Sequence, residues 1–259
     1  MGKKLLLVTS FGTTYEDTCE KNIAAVEEHL ARSFSDFEVR RAFTSGIVIR
    51  TLAERGVFVD DVPAALKRAA NDGFAEVVIA PTHLLYGKEY EKIHRQTAES
   101  QPAFESTILI AKPLIANTDD MQTLIRMLSD AFPVTDKVAV AMMGHGSKHH
   151  VNPIYAALQT AFRLIGRDDI FVGTAETWPG IAEIVMQLKE RSYEKVMLTP
   201  LMLVAGDHAT IDEASDEDES WKTILQNEGY EVEVVMRGLG EYLPTRELYA
   251  AHVKEVLSR

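Results

Sequence analysis

Cysteine is almost missing. Cys19 is the only one, which excludes a disulfide within the chain and any cysteine-built zinc or iron–sulfur centre. Positive charge is scarce: 27 Lys and Arg face 39 Asp and Glu, a net charge of −12. No basic stripe offsets the deficit, so neither nucleic acid nor an anionic membrane surface is an expected partner. No apolar run approaches the ~20 residues that span a bilayer. The opening Met1–Ser10 has a charged start and a short apolar run without a small-residue cleavage site, so it reads as a first strand of a cytoplasmic protein. Nucleotide signatures are absent too. Gly238-Leu-Gly240 lacks a third glycine, Gly87-Lys88 has Thr82 where a phosphate-binding loop needs glycine, and no G-x-S-x-G elbow occurs. Their absence weakens dehydrogenase, ATPase and hydrolase readings.

What is present is a regular alternation. Short β-rich runs fall at 4–10, 38–43, 76–81, 107–111, 137–143, 170–175, 195–201 and 231–236, separated by amphipathic helical stretches such as Asn22–Leu30 and Ile181–Leu188. That alternation implies α/β architecture with parallel sheets. Eight strands would also suit a closed barrel, but an internal repeat argues otherwise. Val8-Thr-Ser-Phe-Gly12 parallels Met142-Met-Gly-His-Gly146, and Glu76–Gly87 parallels Lys195–Gly206. The first comparison puts Phe11 opposite His145; the second puts Glu89 opposite His208. The offsets differ, 134 against 119 residues, so one half carries an insertion, most naturally in 50–74. The expected fold is two similar flavodoxin-like or Rossmann-like halves with parallel four-stranded sheets facing across a cleft. The expected domains are 1–125 and 126–259, the last helix packing back on the first half.

Two strand ends carry the candidate chemistry. Met142–His150 delivers His145 between Gly144 and Gly146, and Pro200–His208 delivers His208 at a strand-to-helix corner. Open α/β sheets bind ligands beyond the carboxyl ends of their strands. Two imidazoles arriving there suit metal ions or proton transfer, although a histidine between glycines is often only a turn residue. The flanking glycines would let a flat ligand approach the backbone. Glu176 follows the sixth strand and can orient an imidazole, take a proton or ligate a metal; its plainer role is to start a helix. Glu89 is a weaker candidate, with an equally simple surface role. His83 ends the third strand, His149 and His150 sit in a loop, and the acidic run 212–219 reads as a solvated helix start. Imidazoles and one carboxylate without thiolates suit a site that binds and releases a divalent ion. Such ligands do not choose among cobalt, nickel, iron and zinc.

Met142–His150, Ala175–Pro179 and above all Pro200–Trp221 resemble the anaerobic, early-insertion cobalt chelatases of cobalamin biosynthesis, as do Ser10–Thr14, Arg40–Gly46 and Ala80–His83. The likeness runs nearly end to end. The wider group, the ATP-independent class II chelatases, includes the ferrochelatases and shares a fold of two similar halves. The resemblance implies insertion of Co2+, as substrate metal, into sirohydrochlorin with release of two protons. It implies His145, Glu176 and His208 as catalytic and metal-binding residues. Ser10, Phe11, Gly12, Glu89, Gly144 and Gly146 are expected to line the tetrapyrrole site. It also implies a homo-oligomer. The Glu176-Thr-Trp178 segment departs from the family's usual serine and its usual aromatic, which affects pocket shape and leaves the glutamate in place. Arg41, Arg50, Lys88 and Lys148 are candidates to meet the substrate's carboxylates. The competing readings are a chelatase for Fe2+ or Ni2+ acting on sirohydrochlorin, and a tetrapyrrole- or metal-binding protein without catalysis.

Overall fold

The computed structural model describes residues 2–206 and 209–258. The chain divides into two compact units, Met1–Ala116 with Gly240–Arg259, and Asn117–Leu239. The first unit begins with β1 (Lys3–Ser10), α1 (Glu16–Thr18), a π-helical turn over Cys19–Ala24 and α2 (Ala25–Ser33). It continues through β2 (Glu38–Phe43), α3 (Gly46–Glu54), α4 (Val62–Asn71), β3 (Phe74–Pro81), α5 (Lys88–Ser100) and β4 (Leu109–Ile110). The second unit runs α6 (Thr118–Ala131), β5 (Val138–Gly144), α7 (Ile154–Leu164), β6 (Ile170–Thr174), α8 (Ile181–Lys189), β7 (Lys195–Pro200), α9 (Trp221–Asn227) and β8 (Glu231–Val234). The chain then returns to the first unit with α10 (Leu243–Leu257).

Among the described residues each unit holds one four-stranded, all-parallel sheet, ordered β2-β1-β3-β4 in the first and β6-β5-β7-β8 in the second. The two orders are the same path, so the sequence repeat is a repeat of topology. Where the second unit has α8 between β6 and β7, the first has α3 and α4 between β2 and β3. That is where the extra residues go.

Each central strand is buried along its length because helices cover both faces of a parallel sheet. Leu5 to Val8 are wholly inaccessible, and Ala139 to Met143 nearly so. In the first unit Leu5, Leu7, Val77 and Ile79 pack against Leu66 of α4 and Ile93 of α5. In the second, Ala141, Met143, Phe171 and Leu198 pack against Ile184 and Leu188 of α8 and against Trp221. Burying one such side chain stabilises the fold by roughly 1.5–3 kcal/mol.

Helix ends are fixed by local chemistry. Asp61 caps α4, its side chain accepting from the Ala64 N–H, and Asn117 with Asp120 form a capping box on α6. The far end of α6 is closed by the buried Arg167, which donates to the Ser129 and Phe132 carbonyls while pairing bidentately with Asp169. β4 is shorter than the 107–111 run expected, and the Ile108 N–H just before it donates to the Gln101 side chain. α10 is seated by the Tyr249 hydroxyl, which donates to the Thr82 carbonyl at 2.7 Å, and by Lys112 paired to Glu255.

Candidate metal-handling site

The second unit places His145 and Glu176 side by side. β5 and β6 run in register from Val140↔Ile170 to Gly144↔Thr174. The ladder then continues past the strands: the Ala175 N–H donates to the Gly144 carbonyl at 2.9 Å, and the Glu176 N–H to the His145 carbonyl at 3.1 Å. The Glu176 carboxylate stands 3.7 Å from His145 Nδ1, and both side chains are about half exposed. Register alone thus turns two residues 31 positions apart in sequence into neighbours at one strand-end edge.

The tautomer of His145 follows from its surroundings. Nδ1 lies 3.0 Å from the Gly146 carbonyl, which only accepts, so Nδ1 carries the proton and Nε2 is left as the ring's acceptor. Metal-binding histidines are oriented in the same way, the second nitrogen donating to a carbonyl or carboxylate.

Both flanking glycines have a packing reason. A Cβ on Gly144 would stand 2.2 Å from the Tyr155 ring, and one on Gly146 would stand 2.6 Å from Thr177 Oγ1 and 2.8 Å from Thr174 Cβ. Gly146 also has φ +82°, where side chains are strained. Thr174 Oγ1 folds the following turn by donating toward the Thr177 and Pro179 carbonyls. On that turn Trp178 is 65% exposed. A hollow of about 410 Å³ opens beside Glu176, with Asp212, Glu219 and Trp221 in its walls. The acidic run expected at a helix start lies instead in a π-helical turn (Ala209–Glu213) and the connection after it; Ser220 caps α9. Glu213 within it is fully buried, and burial raises its carboxyl well above the ordinary range.

His208 lies outside the described residues, so the structure carries two of the three expected metal donors. Among the described residues, no three His, Cys, Asp or Glu side chains are gathered closely enough to hold a metal ion. His149 and His150 stack with ring centroids 3.9 Å apart, and the Val151 N–H donates to His149 Nδ1.

In the first unit the equivalent strand end is built by Ser10, Thr44 and Thr82. Ser10 is fully buried, its hydroxyl accepting from Thr82 Oγ1 at 2.7 Å, so it orders the strand end from within. Phe11 is 45% exposed beyond it. Gly12, at φ +100°, has the space of its missing Cβ taken by Phe43 and Val48. Glu89 is half-buried in the first turn of α5, 3.6 Å from Lys92. Sequence reasoning gave little weight to His83, yet its Nε2 lies 3.4 Å from Thr44 Oγ1 and its Nδ1 is closed to solvent without a partner among the described residues. Desolvation, and then the nearby Lys92 ammonium, lower its pKa to about 4. Of the expected cations, Arg41 is committed elsewhere, held bidentately by Glu27; Arg50, Lys88 and Lys148 are exposed.

Two parallel α/β units of one topology, with an imidazole and a carboxylate joined at a strand end, accord with the chelatase class, and the sequence comparisons show that class. The sequence of the cobalt chelatase (CbiK) family matches over residues 4–258, and the chain belongs to that family. It is 40% identical to the sirohydrochlorin cobaltochelatase of Salmonella typhimurium, covering 99% of this chain and 97% of that protein. It is 29% identical to the sirohydrochlorin cobaltochelatase CbiKC of Nitratidesulfovibrio vulgaris, covering 100% and 92%. Among solved structures, SirB from Bacillus subtilis with Fe3+ shares the fold at a TM-score of 0.68 and 13% identity, over 98% of this chain and 95% of that one.

Proposed function

We propose that this chain inserts Co2+ into sirohydrochlorin, releasing two protons, and that His145 and Glu176 with His208 are the residues that handle the metal and the protons. Membership of the cobalt chelatase family along nearly the whole chain supports the reaction. The observation that carries the residue assignment is the His145–Glu176 pair, 3.7 Å apart at one strand end.

Insertion requires a place to hold the ion before the ring takes it, and a base for the pyrrole protons. His145 Nε2 provides a lone pair for either task, since the Gly146 carbonyl keeps the proton on Nδ1. Once Nε2 accepts a proton, the imidazolium has the Glu176 carboxylate beside it. Opposite charges at that spacing attract, and because both groups are half exposed the net gain is about 0–1 kcal/mol. General-base assistance of this kind contributes about 10²–10⁴-fold. Asp212 and Glu219 beside Glu176 add negative potential that favours a divalent cation there. Trp178, exposed beside Glu176, offers a flat apolar face suited to a macrocycle.

The reaction needs no nucleotide in this reading, because four ring nitrogens bind the metal more strongly than two or three side chains do. The cytoplasm is the location proposed for the reaction. As a separate fact, among the described residues no helix is long and apolar enough to cross a membrane. A homo-oligomer is proposed from the family resemblance alone. The test is to mix the purified protein with metal-free sirohydrochlorin and Co2+, Ni2+ or Fe2+ and to follow the absorbance change. Multiple turnovers with Co2+ are expected. Tight binding of product without turnover would make it a carrier.

A further inference from the structure

We propose that Asn152 is a positioning residue for metal insertion: its side-chain amide clamps the His145 loop to the Glu176 turn and holds the two donors at one spacing. This rests on the reading of His145 and Glu176 as the metal-handling pair.

The carboxamide bonds to both segments. Asn152 Oδ1 accepts from the Ser147 N–H at 2.8 Å and from the Thr177 hydroxyl at 2.9 Å, and Nδ2 donates to the Trp178 carbonyl at 2.7 Å. Its orientation is fixed by chemistry, since a backbone N–H only donates and a carbonyl only accepts. Ser147 lies two residues after His145, and Thr177 and Trp178 follow Glu176 directly. Asn152 is itself anchored: its N–H donates to the His149 carbonyl at 3.0 Å, and its carbonyl accepts from the Tyr155 N–H at 3.1 Å at the start of α7.

The backbone ladder between the two segments reaches the Glu176 N–H. Beyond it, Thr174 folds residues 177 to 179 onto their own strand. The Asn152 amide ties that turn across to the histidine loop. Side chains that are half exposed, as His145 and Glu176 are, keep a fixed spacing only if the backbones on both sides are fixed. Aspartate would keep the two acceptor contacts but set an oxygen against the Trp178 carbonyl; alanine would lose all three.

The test uses the full chain with Asn152→Ala, Asn152→Asp and a His145→Ala control. Each is titrated with Co2+ alone while its visible ligand-field bands are recorded. Michaelis constants are then measured separately for Co2+ and for sirohydrochlorin, with thermal unfolding alongside. Asn152→Ala should weaken Co2+ binding about 10–100-fold, the usual loss when a group supporting metal ligands is removed. It should shift the Co2+ bands and raise KM for Co2+ by more than KM for sirohydrochlorin, which the loosened Trp178 turn also raises. Asn152→Asp should fall between wild type and alanine, and it carries the test if the alanine variant does not fold. If the Asn152 variants keep the wild-type spectrum and KM for Co2+ while His145→Ala loses both, the clamp is overturned and the metal assignment stands. If His145→Ala also keeps them, the metal assignment fails and the clamp falls with it.

Discussion

Glu176 meets His145 at two points: its backbone N–H donates to the histidine carbonyl at 3.1 Å, and its carboxylate stands 3.7 Å from the ring Nδ1. The strand ladder therefore makes the pair a single structural unit, and the two residues should fail differently. His145→Ala removes the acceptor nitrogen and should lower kcat for cobalt insertion about 100-fold or more. Glu176→Gln keeps the backbone bond and the side-chain shape while removing the charge, and should cost about tenfold. Initial rates from the tetrapyrrole absorbance, with circular dichroism to confirm folding, check both. Equal rates for wild type and His145→Ala would remove this histidine from the chemistry.

Gly144 tests whether the His145 corner is set by packing. The Tyr155 ring fills the space of its missing Cβ at 2.2 Å. Gly144→Ala should then destabilise the protein by about 1–3 kcal/mol, as overpacking does, seen as a drop of roughly 2–4 °C in Tm per kcal/mol. Tyr155→Leu, which removes the ring, should recover part of that loss in the double variant. Additive losses would show that ligand approach, not Tyr155, demands glycine there.

The alternation of apolar runs and the paired repeats made the two-sheet α/β plan legible, since burial on both faces writes continuous Leu-Leu-Leu-Val and Val-Ala-Val-Ala-Met-Met runs into β1 and β5. His145 and Glu176 were legible because both stand just past such runs. Their adjacency was not: it depends on β5 and β6 being neighbours in register, a tertiary fact. Asn152 escaped notice for a related reason, because its three partners lie five to 26 residues away and an asparagine before proline reads as a turn residue. Ser10 looked like a lining residue, yet Thr82, 72 positions on, turns its hydroxyl inward. Arg41 looked like a cation for the substrate until Glu27 claimed it.

His83 gives the protein a definite response to acid. Its folded pKa is about 4, lowered by desolvation and then by Lys92, against about 6.5 when unfolded. Between those values the unfolded chain binds the extra proton, so stability falls as pH drops from 6.5 towards 4. The loss between pH 7 and pH 5 is about 2 kcal/mol by linkage. His83→Asn removes the titrating group, so its urea midpoints at pH 7 and pH 5 should lie closer together than those of the wild type. An unchanged pH dependence would mean that His83 titrates normally in the folded chain.

Trp178 supplies a direct optical report on substrate. Only two tryptophans are present; Trp221 is 3% exposed in the core, and Trp178 is 65% exposed beside Glu176. A tetrapyrrole lying over this strand end meets the indole face, which favours stacking worth about 0.5–1.5 kcal/mol beyond the area covered. Metal-free sirohydrochlorin should therefore quench the emission of Trp178 strongly, and Trp178→Phe should leave only the weaker quenching of Trp221. The same variant keeps a flat ring, so its KM for sirohydrochlorin should rise about two- to threefold, whereas Trp178→Ala should raise it about tenfold with kcat little changed. Quenching that survives undiminished in Trp178→Phe would place the macrocycle away from this turn.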